Sequence, residues 1–242
     1  MFINPQPLDK KNDVDLCILP REDFAFCKDQ LSALVGLSEI LPCSRELPVL
    51  FSKFEDTFSP IVLLGTPASG NMVLEDGRWN AGYIPAVFRA YPFLLLQIDN
   101  EQKQLTIGVD RDCSLLSTED GEALFNAEGE ASDILLSAGQ MLSSIRADQQ
   151  RAALLGSYLA SKNLLVPFSI TANAGGEQAQ PQVFSFDGLY FVEEKSLAQL
   201  ADEDFLFLKN EGALPFLYAH IFSLSRIGRV FRTLPPSESV PQ

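Results

Sequence analysis

Histidine is nearly absent from this sequence: His220 is the only one in 242 residues. One imidazole and four cysteines without a Cys-x-x-Cys pair do not supply the ligand spacing of a standard zinc site. Cys17, Cys27, Cys43 and Cys113 therefore read as reduced, mostly buried thiols, since no other feature points to an oxidising compartment. Basic residues are scarce as well, with 18 Lys and Arg against 32 Asp and Glu, a formal charge of −14. That field repels phosphate backbones and anionic headgroups, so the expected partners include neither nucleic acid nor a general membrane surface. No stretch approaches the roughly 18 uninterrupted apolar residues of a membrane span. The opening MFINPQPLDKKNDVDLCIL also lacks the charged, apolar and small-residue blocks of a secretion signal, and the expectation is a soluble, cytoplasmic protein. A phosphate loop is missing too: GTPASG at 65–70 is followed by Asn71 and Met72, where that motif needs Lys and then Ser or Thr. No cofactor and no metal are expected.

What is present is enough apolar material, 46% of the chain, for a substantial core. Residues 1–30 are turn-rich, and Pro42 and Pro48 prevent one long helix in the stretch that follows. VLF at 49–51 and IVLLG at 61–65 have strand character, Asp76-Gly77 signals a hairpin, and FLLLQIDNEQKQLTIGVD reads as two strands around a polar turn at Asn100 to Lys103. Beyond the acidic segment at 114–130, Ser132 is a candidate N-cap. It opens a long amphipathic helix through Leu135, Ala138, Met141, Leu142, Ile145, Ala152, Leu155 and Leu159. A candidate break lies at Asp148-Gln149-Gln150, and Pro167 is the expected stop. ANAGGEQAQPQ reads as a flexible surface connection. Further on, Asp187-Gly188 signals a second hairpin, Ser196 a helix start, Gly212 its end, and LPFLYAHIFSLSRIGRVF a last helix. The expected fold is α+β, with a sheet-rich N-terminal half, a long central helix, and a C-terminal β-hairpin with two closing helices. It is expected as one domain over 1–234, with a candidate internal boundary near 114–130 and a disordered tail at 235–242.

One segment concentrates aromatic and cationic side chains: GRWNAGYIPAVFRAYPFLLLQID, residues 77–99. Pro85 suits the start of a short helix over PAVFRA, and Pro92 biases Tyr91 out of helical geometry and sends FLLLQID off as a strand. Two readings stand side by side. In the first, the aromatics anchor a crossing onto the core, and Arg78 and Arg89 pair with acids or carbonyls. In the second, Trp79, Tyr83, Arg89 and Tyr91 rim a pocket for an apolar or carboxylate-bearing ligand, with Arg89 making a two-point contact.

His220 and Ser223 share a helix face at three-residue spacing, the beginning of a nucleophile and base, although no motif supplies an orienting carboxylate. His220 is accordingly a hydrogen-bonded helix residue first and a ligand contact second. Arg226, Arg229 and Arg232 form a drifting basic stripe that suits the end of a helix or an acidic partner. Glu119, Asp120, Glu122, Glu128, Glu130 and Asp133 lack the ligand order of a calcium-binding EF-hand loop and read as a solvated acidic loop.

GRWNAGYIPAVFRAYPFLL, DGLYFVEEKSLAQL and GALPFLYAHIFSLSRI together resemble the SapC family of bacterial proteins. The family pattern runs through a GRW, a Tyr-Ile-Pro-Ala, an Arg-x-Tyr-Pro-Phe, an aspartate-rich middle, a DGL(Y/F) hairpin and a Tyr-Ala-His-x-x-Ser-Leu. Order and spacing match from about residue 5 to 233. The resemblance implies a link to surface-layer assembly or serum resistance. It also implies association with an uptake or halogenase-containing locus, since relatives accompany genes for outer-membrane receptors, flavin-dependent halogenases and cupin-like oxygenases. It brings no catalytic residues. The expectation is a non-enzymatic accessory or binding protein for a small molecule, sugar-derived ligand, peptide or partner protein. The alternative is a modifying or hydrolytic enzyme using His220.

Overall fold

The continuous apolar runs at 49–51 and 61–64 become central strands buried on both faces. Side chains alternate along a strand. Val49, Phe51 and Val62 therefore join the largest core cluster, while Leu50, Ile61 and Leu63 join a second one with Phe168 and Val230. In this computed structural model, residues 1–67, 69–99, 104–173 and 181–230 are described. The main sheet has five antiparallel strands in the spatial order Leu165–Asn173, Pro181–Val192, Val49–Phe54, Thr57–Leu63 and Ser32–Leu34. A smaller sheet sets Gln104–Asp110 between Pro5–Pro7 and Phe93–Asp99. The architecture is α+β, with sheet in the first half, one long helix, and a C-terminal hairpin followed by the closing helices Asp202–Asn210 and Leu214–Ser223.

The 29-residue helix Asp133–Ser161 links the two halves. Its Ala152, Leu155 and Leu159 belong to the main core, and its Leu135 and Leu142 to the core beneath the smaller sheet with Phe93 and Val109. Gly156 lets the helix lie close against the strand Thr57–Leu63, because a methyl group there would run into the Phe58 carbonyl oxygen. Gly156→Ala gains helix propensity and still costs about 1–3 kcal/mol, since backbone on both sides must shift. Urea unfolding of the variant checks this, and unchanged or increased stability contradicts it.

The Asp76-Gly77 hairpin forms as the sequence predicts. Both residues have positive φ, 48° and 78°, and Leu74 pairs with Trp79 and Glu75 with Arg78. Elsewhere the local signals mislead. The long helix runs unbroken through Asp148-Gln149-Gln150, because Asp148 accepts from the backbone N–H and hydroxyl of Ser38 at 2.9 and 2.6 Å. It ends before Asn163 at φ 55°, and Pro167 lies within the next strand. Asp187-Gly188 is not a turn: the strand Pro181–Val192 continues through it, with an irregular register opposite Pro167–Ser169 and Gly188 at φ 78°. Ser196 sits inside the helix Glu194–Ala198 and donates to Glu193 Oε2 at 2.7 Å, and a second helix begins at Asp202 after extended backbone at Ala201. Ser132 is at the N-cap, but its buried hydroxyl has no partner among the described residues. The turn at Asn100 to Lys103, residues 174–180 of the expected flexible connection, Arg232 and the tail at 235–242 lie outside the described residues.

Candidate functional site

The connector takes the form its two prolines dictate: a helix over Ala86–Ala90, then Tyr91 in extended geometry and the strand Phe93–Asp99. So short a helix leaves its last carbonyls without intrahelical partners. Arg21 supplies one, its Nη1 donating to Phe88 O at 2.9 Å and Arg89 O at 3.2 Å. Its guanidinium lies 5.4 Å from the ring centroids of both Phe24 and Phe26. Arg89, on the same helix, donates Nε to Ile84 O at 3.1 Å and Nη2 to the Tyr83 hydroxyl at 3.2 Å.

Both arginines border a cavity of about 230 Å³ between the connector and the first turns of the long helix. Tyr91 also lines it, and Ile18, Leu19, Leu115, Ile134 and Met141 form its apolar wall. Burial lowers the Arg21 pKa from its ordinary value, against the field of neighbouring thiols and the Tyr91 phenol. Neither arginine has a carboxylate within 4.0 Å among the described residues, in a chain where acids outnumber bases 32 to 18.

Two buried carboxylates hold the scaffold around the cavity. Glu39, 5% exposed, accepts from Gly36 N at 2.8 Å, the Tyr83 hydroxyl at 3.1 Å and Ala86 N at 2.7 Å. Burial, followed by the charge of Glu39, pushes the Tyr83 phenol up to about 12. Asp110 is fully buried and accepts from Ile3 N at 3.1 Å, Asn4 N at 2.8 Å and the Tyr91 hydroxyl at 3.1 Å. Burial pushes its carboxyl up, but these donors outweigh burial and hold it below the ordinary value. The Tyr91 ring stacks on Phe26, with centroids 4.0 Å apart.

The five residues expected at a ligand rim do not form one. Arg89 and Tyr91 line the cavity. Trp79 and Tyr83 are not among its lining residues: the Trp79 indole N–H donates to Tyr83 O at 3.0 Å, its ring packs on Phe24 and Phe88, and Tyr83 joins Arg89 to Glu39. His220 is fully buried in the main sheet's packing, where Nδ1 meets Val49 O at 2.8 Å and Nε2 accepts from Val192 N at 3.0 Å. Burial lowers its pKa to about 4. Ser223 accepts from Val49 N at 2.9 Å and donates to His220 O at 2.6 Å, so the two side chains meet the backbone and not each other.

Of the expected basic stripe, Arg226 lies in a 3₁₀ turn between the helices Leu214–Ser223 and Ile227–Val230, with a buried Nε that has no partner among the described residues; the side chain of Arg229 and the whole of Arg232 lie outside what is described. The four thiols are free, three of them buried, and burial pushes Cys27 up to about 11. Among the described residues no group of three or more His, Cys, Asp or Glu could hold a metal ion, and no helix is long and apolar enough to cross a membrane.

Sequence reasoning missed Arg21, Glu39 and Asp110. Their partners lie far along the chain, 67 and 68 positions away for Arg21 and 106 and 107 for the backbone donors of Asp110. No local motif reports such contacts. A partial signal existed for Glu39, three residues after Gly36 at a helix start, the position from which a glutamate reaches back to the N-cap N–H.

The profile of one protein family, SapC, matches residues 8–230. No curated protein and no solved structure matches the chain.

Proposed function

This chain belongs to the SapC family, and on that premise we propose that it is a non-enzymatic accessory protein that recognises a ligand or partner at the cavity between the connector and the long helix. The observation that carries this reading is the pair Arg21 and Arg89. Two cations line the same largely apolar cavity, and neither has a carboxylate partner among the described residues. Arginine forks held in place by backbone and phenol contacts are pre-organised for an anionic group, and the opposite wall accepts an apolar body. A sugar-derived ligand, a peptide or an exposed segment of a partner protein can present that combination. Support for a surface-layer or outer-membrane uptake system is the setting that the family suggests for such recognition.

Binding is favoured over turnover by the surroundings of His220. Both its ring nitrogens are engaged by backbone, and it stays neutral at physiological pH. The test is recovery of the wild-type protein and Arg89→Ala from the native cell, with mass spectrometry of bound small molecules and co-purifying proteins. Wild type should retain at least one species that the variant loses by about tenfold or more, the order expected for a charge-assisted contact. Equal recovery of every species by both proteins overturns the proposal.

A further inference from the structure

Resting on that reading of the cavity, we infer its ligand class: a compact apolar monocarboxylate, with the carboxylate between Arg21 and Arg89 and the apolar body against Ile134 and Met141. Each arginine is only partly engaged by the protein. Arg21 directs Nη1 to two carbonyls, which leaves Nη2 for a ligand. Its Nε is buried, and no acceptor among the described residues takes it. Arg89 directs Nε to Ile84 O and Nη2 to the Tyr83 hydroxyl, which leaves Nη1. The bonds already made fix both planes, so little side-chain freedom remains to be lost on binding. A carboxylate can accept one N–H from each guanidinium and offsets the burial of a cation that lacks a counter-charge.

The rest of the cavity sets the limits on the ligand. Its wall of Ile18, Leu19, Leu115, Ile134 and Met141 offers no donor to a second polar group, and the one hydroxyl in the lining besides that of Tyr91, Ser137, sits at the exposed mouth. Tyr91 presents its ring only, because its hydroxyl is committed to Asp110. Phosphate esters and sugar acids would leave oxygens desolvated against hydrocarbon, which costs them affinity. The volume of about 230 Å³ falls below the roughly 300–1,000 Å³ of pockets for drug-sized ligands, which selects a short or single-ring body over a long acyl chain. The same chemistry occurs in a free acid and in the last residue of a peptide.

The full-length protein is titrated with 3-phenylpropionate by calorimetry and by ¹H–¹⁵N spectra, alongside 3-phenylpropionamide, inorganic phosphate, dodecanoate and the tripeptide Gly-Gly-Phe. Ser137 is exposed on the long helix at the cavity mouth, so Ser137→Trp fills the cavity without disturbing the core. Arg89→Gln removes the charge from an exposed position and leaves Arg21 to hold the helix end. The acid should bind with shifts confined to the cavity, and the amide and Arg89→Gln should each weaken binding by about tenfold. Ser137→Trp should abolish binding while the spectrum stays folded, and dodecanoate should bind more weakly than the shorter acid. Tighter binding of Gly-Gly-Phe assigns the carboxylate to a chain terminus, and tighter binding of the free acid assigns it to a metabolite. Equal affinity for acid and amide, indifference to Arg89→Gln and Ser137→Trp, or equal competition by phosphate overturns the inference. Failure of 3-phenylpropionate and Gly-Gly-Phe alongside an Arg89-dependent species from cells removes this ligand class and leaves the binding reading standing.

Discussion

His220→Phe should lower the unfolding free energy at pH 7.5 by about 2–4 kcal/mol, the range for leaving buried hydrogen-bonding groups without partners. The variant keeps an aromatic ring, somewhat larger than the imidazole, beside Phe51, whose centroid is 5.2 Å from that of the imidazole. What it loses is the bridge from Val49 O to Val192 N across adjacent strands of the main sheet. The wild type should also carry a pH dependence that the variant lacks. Burial lowers the folded-state pKa of His220 to about 4, from an ordinary 6.5, so between those values the unfolded chain binds a proton that the folded chain refuses. The stabilisation is complete above about pH 6.5 and is lost as pH falls towards 4, to a total of about 3 kcal/mol. Urea unfolding from pH 8 to 4 measures both effects. Parallel pH profiles for wild type and variant would show that the imidazole is not held neutral in the sheet.

Asp110→Ala should cost a similar amount, about 2–4 kcal/mol, through a different device. Its carboxylate ties the first residues of the chain, through the N–H groups of Ile3 and Asn4, to the Tyr91 hydroxyl beneath the cavity. Ile3 is 74% exposed, so water can replace part of what its N–H loses. The Tyr91 hydroxyl is buried with its ring, and burial together with the neighbouring Cys113 and Asp110 raises its pKa. Asp110→Asn keeps an acceptor and should cost less than Asp110→Ala, and Tyr91→Phe, which removes one donor, least of the three. Hydrogen exchange should speed up at Ile3 and Asn4 in the Asp110 variants but not in Tyr91→Phe. Because the folded-state pKa of Asp110 lies below the ordinary carboxylate value, its contribution is present above about pH 4 and is lost only below it. The acid limb of wild-type stability should thus show two steps, the upper one absent from His220→Phe and the lower one reduced in Asp110→Ala, where Asp13 and Asp204, also held below the ordinary value, still contribute. If all three Asp110 and Tyr91 variants match the wild type in stability and exchange, the latch has no energetic role.

The candidate site was half legible. Arg89 and Tyr91 stood out because two prolines fix a short helix and a strand around them, and both line the cavity. Trp79 and Tyr83 stood out for the same composition and serve the connector itself, since an indole N–H and a phenol near backbone carbonyls and a buried carboxylate bond to those first. Arg21 escaped notice in the turn-rich leader, although it carries as much of the site as Arg89 does.

The sequence by itself determined the class of fold, the hairpin at Asp76-Gly77, the course of the connector and the start of the central helix at Ser132. Each of these depends on φ preferences and side-chain periodicity within a few residues. Tertiary structure alone decided that the helix passes Asp148 unbroken, that Asp187-Gly188 is a bulge and not a turn, and that His220 is sealed while Arg21 and Arg89 share a cavity. Those outcomes turn on which distant donor or acceptor a polar group finds once water is excluded, a choice worth several kcal/mol to the fold and invisible to any local window.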